Sequence, residues 1–159
     1  MKKVLFTVAL LATAFIQSFA QDATATASQP AQLLTQYYNI KDALVAGNAN
    51  LAAAKAEDFL RVANGIDYKV ISEGNINALV KDATSISETK DIKKQREHFA
   101  NLSNNMVALA KAMKLDEQPV YQTYCPMKKA YWLSNSKTIK NPYFGSSMLT
   151  CGKVTETIQ

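Results

Sequence analysis

The sequence predicts an all-α fold, a four-helix bundle that carries a small C-terminal hairpin and an ordered irregular cap. Apolar residues recur at helical spacing in four separate segments between residues 31 and 115. Four amphipathic helices bury their apolar faces most simply by packing side by side. Beyond residue 115 this period ends, and the chain becomes rich in aromatic residues, Asn, Ser, Gly and Pro.

The first two helices are predicted to form an antiparallel hairpin. The first begins at Ala31 and ends at Gly47-Asn48, and its apolar residues recur at steps of three and four, namely Leu33, Tyr37, Ile40 and Leu44. The second starts near Asn50 and ends at Asn64-Gly65, because glycine accepts the left-handed conformation that terminates helices. The short break between them is typical of a helical hairpin.

Two further helices complete the predicted bundle. The third is short, with its apolar positions between Ile76 and Ile86. The fourth is the longest, from about Lys90 to Leu115, and its apolar residues follow a seam-like spacing of three and four, namely Phe99, Leu102, Met106, Leu109 and Met113.

The C-terminal part is predicted to be ordered but not helical. Residues 120–125 and 130–133 are short runs of aromatic and β-branched residues, which indicate a small hairpin. Residues 134–159 are predicted to form an irregular cap. Disordered segments contain few large apolar residues, but this region contains four, namely Tyr143, Phe144, Met148 and Leu149, and it follows Trp132 of the predicted hairpin. We therefore expect the region to be ordered.

The N-terminus predicts export. Lys2 and Lys3 precede an apolar stretch that ends at Ile16, and Ala20 is a small residue at the expected cleavage point. We expect a signal peptide over residues 1–20, a flexible leader over residues 21–30, and a single helical domain with a Cys/Met-containing cap over residues 31–159. The protein would then be periplasmic or extracellular. No later segment is apolar enough to span a membrane.

Charge and motifs disfavour two functional classes. The formal net charge is +5, and the Lys and Arg residues are scattered instead of forming the basic stripe of a nucleic-acid-binding protein. The chain has no Gly-rich phosphate loop, no HExxH and no Cys-x-x-Cys. We therefore expect neither a nucleic-acid partner nor an enzyme.

The two cysteines each lie close to a methionine. Cys125 precedes Met127 by two residues, and Met148 precedes Cys151 by three. Thiolate and thioether sulfurs select soft ions, which makes Cu(I) or Ag(I) the expected cofactor. The four side chains can converge if Cys125 and Met127 share a strand face and if Met148 and Cys151 share a helical turn.

Other interpretations of these residues stay open. Cysteines in exported proteins often form disulfides, and a Cys125–Cys151 disulfide would make the chain a stapled helical binding or interaction module without metal. A third hypothesis is that the two cysteines catalyse thiol–disulfide exchange. Met127 and Met148 can also simply pack against aromatic rings. The only histidine, His98, lies at the boundary of the fourth-helix seam and is a minor candidate ligand.

A specific set of residues lies in the last third of the chain, namely Tyr124-Cys125-Pro126-Met127, Trp132-Leu133-Ser134, Ile139, Asn141-Pro142-Tyr143-Phe144-Gly145, Met148 and Cys151-Gly152. This set resembles a family of exported domains of unknown function, which occurs alone or as a C-terminal extension of periplasmic adaptor subunits of copper and silver efflux pumps. The resemblance is consistent over the fourth helix, at Arg96, Phe99, Leu102 and Ser103. It implies a helical architecture, metal handling and no known catalysis, with a copper-efflux adaptor or another exported protein as partner. It assigns no ligands, so those named above rest on chemistry alone.

Overall fold

A computed structural model describes residues 27–159. Four α-helices come first: α1 (Gln29–Val45), α2 (Ala49–Asn64), α3 (Glu73–Ser87) and α4 (Ile92–Ala112). Three strands follow, β1 (Val120–Cys125), β2 (Ala130–Ser134) and β3 (Lys153–Ile158), with a short 3-10 helix over Gly145–Met148 before β3. The predicted signal peptide lies outside the described residues, as do residues 21–26 of the predicted leader.

Polar caps and one glycine set the helix boundaries. The Asn48 side chain accepts a hydrogen bond from the N–H of Leu51 at 3.0 Å, and Asp91 accepts one from Lys93 at 2.9 Å, which satisfies free N–H groups at the starts of α2 and α4. Gly47 has a φ of +69°, a conformation that lets the chain reverse between α1 and α2. These local signals explain why the predicted helical hairpin is present.

Each helix packs against the next one along the chain, as expected for a helical bundle. The largest side chains of its core are completely buried, namely Tyr37, Phe59, Phe99, Leu33, Leu34, Ile40, Leu44, Ile76, Leu79 and Ile86. The apolar period located the core positions of α1, α3 and α4. It did not locate those of α2, whose buried face consists of Phe59 and alanines, while Leu51 is 42% exposed.

The prediction of an all-α fold with only a C-terminal hairpin is wrong. β1 pairs with β2 as predicted, but its other edge pairs with β3, which gives an antiparallel sheet of order β2-β1-β3. β3 lies within the segment predicted as irregular cap. It is an edge strand with one partner and is mostly exposed, so its sequence lacks an apolar alternation, and only Val154 and Ile158 are half-buried. The chain is therefore a helical bundle joined to a small sheet.

An aromatic cluster joins the sheet to the helices. Tyr37 of α1 stacks on Phe99 of α4 with ring centroids 5.2 Å apart, and Phe99 lies 6.0 Å from Tyr143. Trp132 of β2 meets Tyr143 edge-on at 5.9 Å. Contacts of this kind favour a fixed orientation as well as burial. The cluster therefore gives the two cysteine-bearing segments a rigid base.

Candidate functional site

Cys125 is the last residue of β1, and its side chain is fully buried. It pairs with Ala130 across the turn that joins β1 to β2. The Cys125 carbonyl accepts a hydrogen bond from the N–H of Lys129 at 2.8 Å, and Lys129 adopts a left-handed φ of 56° that closes the turn. Strand pairing and the tight turn thus hold the Cys125 thiol beneath one end of the sheet.

Cys151 reaches the same place from the segment between the 3-10 helix and β3, and it is half-buried. The next residue, Gly152, has a φ of +152°, and a Cβ atom there would lie 2.7 Å from the Trp132 ring. Only glycine lets the chain pass this close to the tryptophan. As a result, the Sγ atoms of Cys125 and Cys151 lie 3.7 Å apart as free thiols, although the residues are 26 positions apart in sequence.

Asn141 holds the two cysteine segments together, and its side chain is fully buried. Its Nδ2 group donates to Cys125 Sγ at 3.2 Å and to the carbonyl of Cys151 at 2.6 Å. Its Oδ1 atom accepts from the N–H groups of Tyr143 at 2.8 Å and Phe144 at 3.2 Å. With both ends occupied, the amide has a single orientation, with its N–H groups directed at the cysteines.

Backbone N–H groups also face the sulfurs. The N–H of Lys128 lies 3.4 Å from Cys125 Sγ, and the N–H of Met127 bonds to the Cys151 thiol. Burial raises the pKa of the Cys151 thiol, and the neighbouring Cys125 raises it further, while the Met127 N–H acts in the opposite direction. The Cys151 thiol therefore releases its proton less readily than an ordinary thiol, until something that favours the thiolate, such as a soft metal ion, takes the place of that proton.

The structure places the backbones of both methionines against Cys151. Met148 ends the 3-10 helix, and its carbonyl accepts a hydrogen bond from the N–H of Cys151 at 3.0 Å. The Met148 side chain is half-buried. Met127 lies in the turn after β1, and its side chain is 65% exposed. Because β1 ends at Cys125, Met127 does not continue the strand face that carries the buried thiol.

The structure does not bring His98 to the cysteines. His98 is half-buried on α4 and lies near Asp82 of α3, a carboxyl whose pKa is raised mainly by burial. Within residues 27–159, no three or more His, Cys, Asp or Glu side chains lie together in a group that could hold a metal ion. In this part of the chain, no His, Asp or Glu side chain therefore joins the two cysteines in such a group.

Residues that position the thiols were not identified from the sequence. In the sequence, Asn141 and Gly152 stand out only as members of the residue set that carries the family resemblance. One signal was present, since Asn before Pro favours a local turn in which the amide bonds to nearby backbone. Nothing local indicated that the other end of the same amide would reach Cys125, because that contact spans 16 positions.

The arrangement supports two chemical outcomes. Two soft sulfurs at 3.7 Å can share one soft metal ion. The same two sulfurs can also be oxidised to a disulfide after a small approach. Among the described residues, no helix has both the length and the apolar character that a bilayer crossing requires.

Comparison with known proteins assigns the helical part of the chain to a protein family. Residues 33–118 match a family described as "Protein of unknown function (DUF3347)". The match covers more than half of the chain and ends before β1, so both cysteines lie outside it. The residues from Tyr124 to Gly152 that carry most of the resemblance noted above also lie outside it, whereas the similar residues of α4 lie within it. No curated protein and no solved structure matches the chain. The chain belongs to the DUF3347 family of proteins of unknown function.

Proposed function

We propose that this protein binds one soft monovalent metal ion, Cu(I) or Ag(I), through Cys125 and Cys151. The supporting observation is the distance of 3.7 Å between their Sγ atoms. One sulfur comes from the end of β1 and the other from the segment that precedes β3. Soft thiolates favour Cu(I) and Ag(I) over harder ions. Bound at this pair, the ion would be sequestered or relayed without any catalytic step.

The hydrogen bonds around the sulfurs support this proposal. Asn141 and the N–H of Lys128 donate to Cys125, and the N–H of Met127 donates to Cys151. Donors directed at a sulfur favour its charged form and orient it as a ligand. A disulfide sulfur, which carries no charge, would gain much less from three such donors.

The donor set disfavours zinc. Structural zinc sites hold four Cys or His ligands in a tetrahedral arrangement. The described residues contain no group of three or more His, Cys, Asp or Glu side chains that could hold a metal ion. We therefore propose methionine thioethers as the further ligands. Met127 and Met148 lie in the two segments that contact Cys151.

A competition titration tests the metal site. Reduced protein is titrated with Cu(I) in the presence of a Cu(I) chelator, and we expect one ion per chain. Cys125→Ser and Cys151→Ser should each nearly abolish binding, because a hydroxyl is a poor donor to a soft ion. Met127→Leu and Met148→Leu should weaken binding if the thioethers contribute, while each changes stability by less than about 1.5 kcal/mol.

Met106→Leu is the matched control, because Met106 is fully buried in α4 and belongs to the helical core. Its Cu(I) affinity should equal that of the wild type. An unchanged affinity in the double variant that lacks both cysteines would exclude the proposed site.

A disulfide-stapled binding or interaction module is the second candidate, and the same sulfur proximity favours it. Closing a loop between residues 26 positions apart would stabilise the fold by about 3.5 kcal/mol on the chain-entropy model. Here either Cys→Ser change would lower the melting temperature of oxidised protein, while the Met→Leu changes would leave any weak copper binding unaltered. Free-thiol counting and metal analysis of protein recovered from its native compartment distinguish the two candidates.

The proposed setting is outside the cytoplasm. Residues 1–20 have the order of a signal peptide, and the resemblance to domains linked with copper and silver efflux adaptors makes such an adaptor, or another exported protein, the partner we propose. The mass of the intact exported protein tests the first point, since processing after Ala20 would leave a chain that begins at Gln21. Copurification with a copper-efflux adaptor in copper-stressed cells tests the second.

A further inference from the structure

A polar cavity unrelated to the cysteine pair lies between α1 and the segment that follows β2. Its volume is about 210 Å³. The lining includes Lys41 and Asp42 of α1 together with Ser134, Ser136, Thr138 and Lys140. Two ammonium groups and three hydroxyls thus face one carboxylate, which makes the cavity rich in hydrogen-bond donors.

Lys41 is the most informative residue of this cavity, because it is only 4% exposed. Lysine is almost never buried to this degree without a partner. Its Nζ atom lies 3.1 Å from the Asp42 carboxylate and 5.3 Å from the centroid of the Tyr38 ring. An ammonium carries three donors, and one carboxylate oxygen uses only one of them. The Asp42 side chain is 61% exposed, so water already hydrates much of its charge.

Ser134 at the end of β2 and Ser136 just after it each use their hydroxyl oxygen to accept a backbone N–H. Ser134 Oγ accepts the N–H of Ser136 at 3.2 Å, and Ser136 Oγ accepts the N–H of Thr138 at 3.1 Å. A hydroxyl that already accepts a backbone N–H still has its own proton to donate. The turn therefore offers a row of donors to any acceptor group in the cavity, and Lys140 adds a second positive charge.

We infer that this cavity binds the phosphate or sulfate group of a small polyhydroxylated ester, such as a sugar phosphate or a sugar sulfate. Lys41 donates from α1, while the hydroxyls and Lys140 donate from the other wall. Donors that converge from two walls suit a tetrahedral oxyanion, which offers acceptor oxygens in several directions. A planar carboxylate presents its two oxygens in one plane, so it can pair with fewer of these donors than a tetrahedral oxyanion can.

A neighbouring cavity has room for the rest of the ester. Its volume is about 530 Å³, and it shares Asp42 and Asn135 with the first cavity. Tyr38 and Tyr121 line it together with amide side chains and the carboxylates of Asp42 and Asp116, which can accept hydrogen bonds from hydroxyl groups. Aromatic faces and a few oriented polar groups are the usual lining of a small-molecule pocket. A hydroxyl-rich moiety can stack on a tyrosine and bond to the amides.

Isothermal titration calorimetry with a set of probes tests the chemical class. The probes are glucose 6-phosphate, glucose 6-sulfate, inorganic phosphate, inorganic sulfate, acetate and glucose. We expect the two esters to bind more tightly than the free ions, and we expect no heat from acetate or glucose at the same concentrations. Free ions that bind as tightly as the esters would overturn the role of the second cavity, and heat from none of the anions would overturn the site.

Substitutions test the residues. Lys41→Met should weaken ester binding at least tenfold, since it removes a charge-assisted donor. Because Lys41 is buried, Lys140→Met and Ser136→Ala serve as further variants at exposed positions, and each should weaken binding several-fold. Lys94→Met is the matched control on an exposed face of α4 and should bind like the wild type. Wild-type affinity in both the Lys41 and Lys140 variants would contradict the inference. None of these titrations depends on the cysteines, so they test this site independently of the proposed metal site.

Discussion

The phenol oxygen of Tyr37 accepts a hydrogen bond from the backbone N–H of Leu133 at 3.1 Å, which links α1 to β2. β2 is an edge strand, so this N–H lies on the side that has no strand partner. The same phenol also bonds to the hydroxyl of Ser103 on α4 at 2.7 Å. A single side chain thus covers the free edge of β2 and connects three elements of the fold.

Tyr37→Phe should destabilise the protein by about 1–3 kcal/mol, because it leaves the buried N–H of Leu133 without an acceptor. Urea denaturation followed by circular dichroism measures the change. Ser103→Ala is the control, since Tyr37 can still accept from Leu133 in that variant. Its loss should be smaller, and an equal loss in both variants would contradict the importance of the Leu133 bond.

Asn141→Ala should loosen the thiol pair. It removes the donor to Cys125 Sγ and leaves the N–H groups of Tyr143 and Phe144 unpaired, so we expect a loss of at least about 1–3 kcal/mol of unfolding free energy. Cys125 should also react faster with a thiol reagent in native protein. Asn101→Ala, at an exposed position of α4, should change neither quantity. Equal alkylation rates in both variants would show that Asn141 does not order the site.

Gly152→Ala should destabilise the C-terminal region around Trp132 and the start of β3. The new Cβ atom would lie 2.7 Å from the Trp132 ring and 3.2 Å from the Tyr124 carbonyl, at a φ of +152° that side chains rarely adopt. We expect a loss of about 1–3 kcal/mol from the strained backbone and forced movement. Gly74→Ala is the contrasting control, because a Cβ atom there meets nothing within 4 Å and the site is helical. It should stabilise α3 by about 0.5–1 kcal/mol in thermal or urea unfolding.

Asp82→Asn should stabilise the protein at neutral pH but not in acid. Burial raises the pKa of Asp82 above its usual value of 3.8, although the Asn105 side chain, Lys81 and His98 act in the opposite direction. A raised pKa means that the folded state disfavours the carboxylate, so stability is lost as the pH rises through the folded pKa. Asparagine cannot ionise and avoids this loss.

Urea denaturation at several pH values checks this prediction. The advantage of Asp82→Asn over the wild type should be present at pH 7 and disappear below the usual pKa, where both forms are neutral. Glu97→Gln, at an exposed position of α4, is the matched control for removal of one carboxylate. A constant difference between Asp82→Asn and wild type at all pH values would argue against ionisation as the cause.

The helical part of the fold was predictable because its signals are local. Gly47 and Asn48 act within a few residues of the α1–α2 break, and the apolar period of α4 repeats over several turns. β3 had no such signal. Its six residues are mostly exposed on an edge, and their pairing partners in β1 lie about thirty to forty positions earlier, where no local pattern can indicate them.

The candidate site could be predicted only in its chemistry. Two cysteines near two methionines indicated soft donors, but the 3.7 Å approach of Cys125 and Cys151 depends on β1, β3 and the aromatic base meeting in three dimensions. The strand face expected to carry both Cys125 and Met127 ends at Cys125, because the chain turns at Pro126. Asn141 acts across a long loop, which sequence spacing does not reveal.

The convergence of the two sulfurs has a thermodynamic consequence. Cys125 and Cys151 meet only when the sheet is formed on the helices, so the unfolded chain offers a bound ion no comparable pair. A ligand that binds only the native state raises the free energy of unfolding by mass action, by about 2.7 kcal/mol at a hundredfold excess over its Kd. If the pair holds Cu(I), the supply of the ion therefore sets the lifetime of the protein against proteases as well as its load of metal.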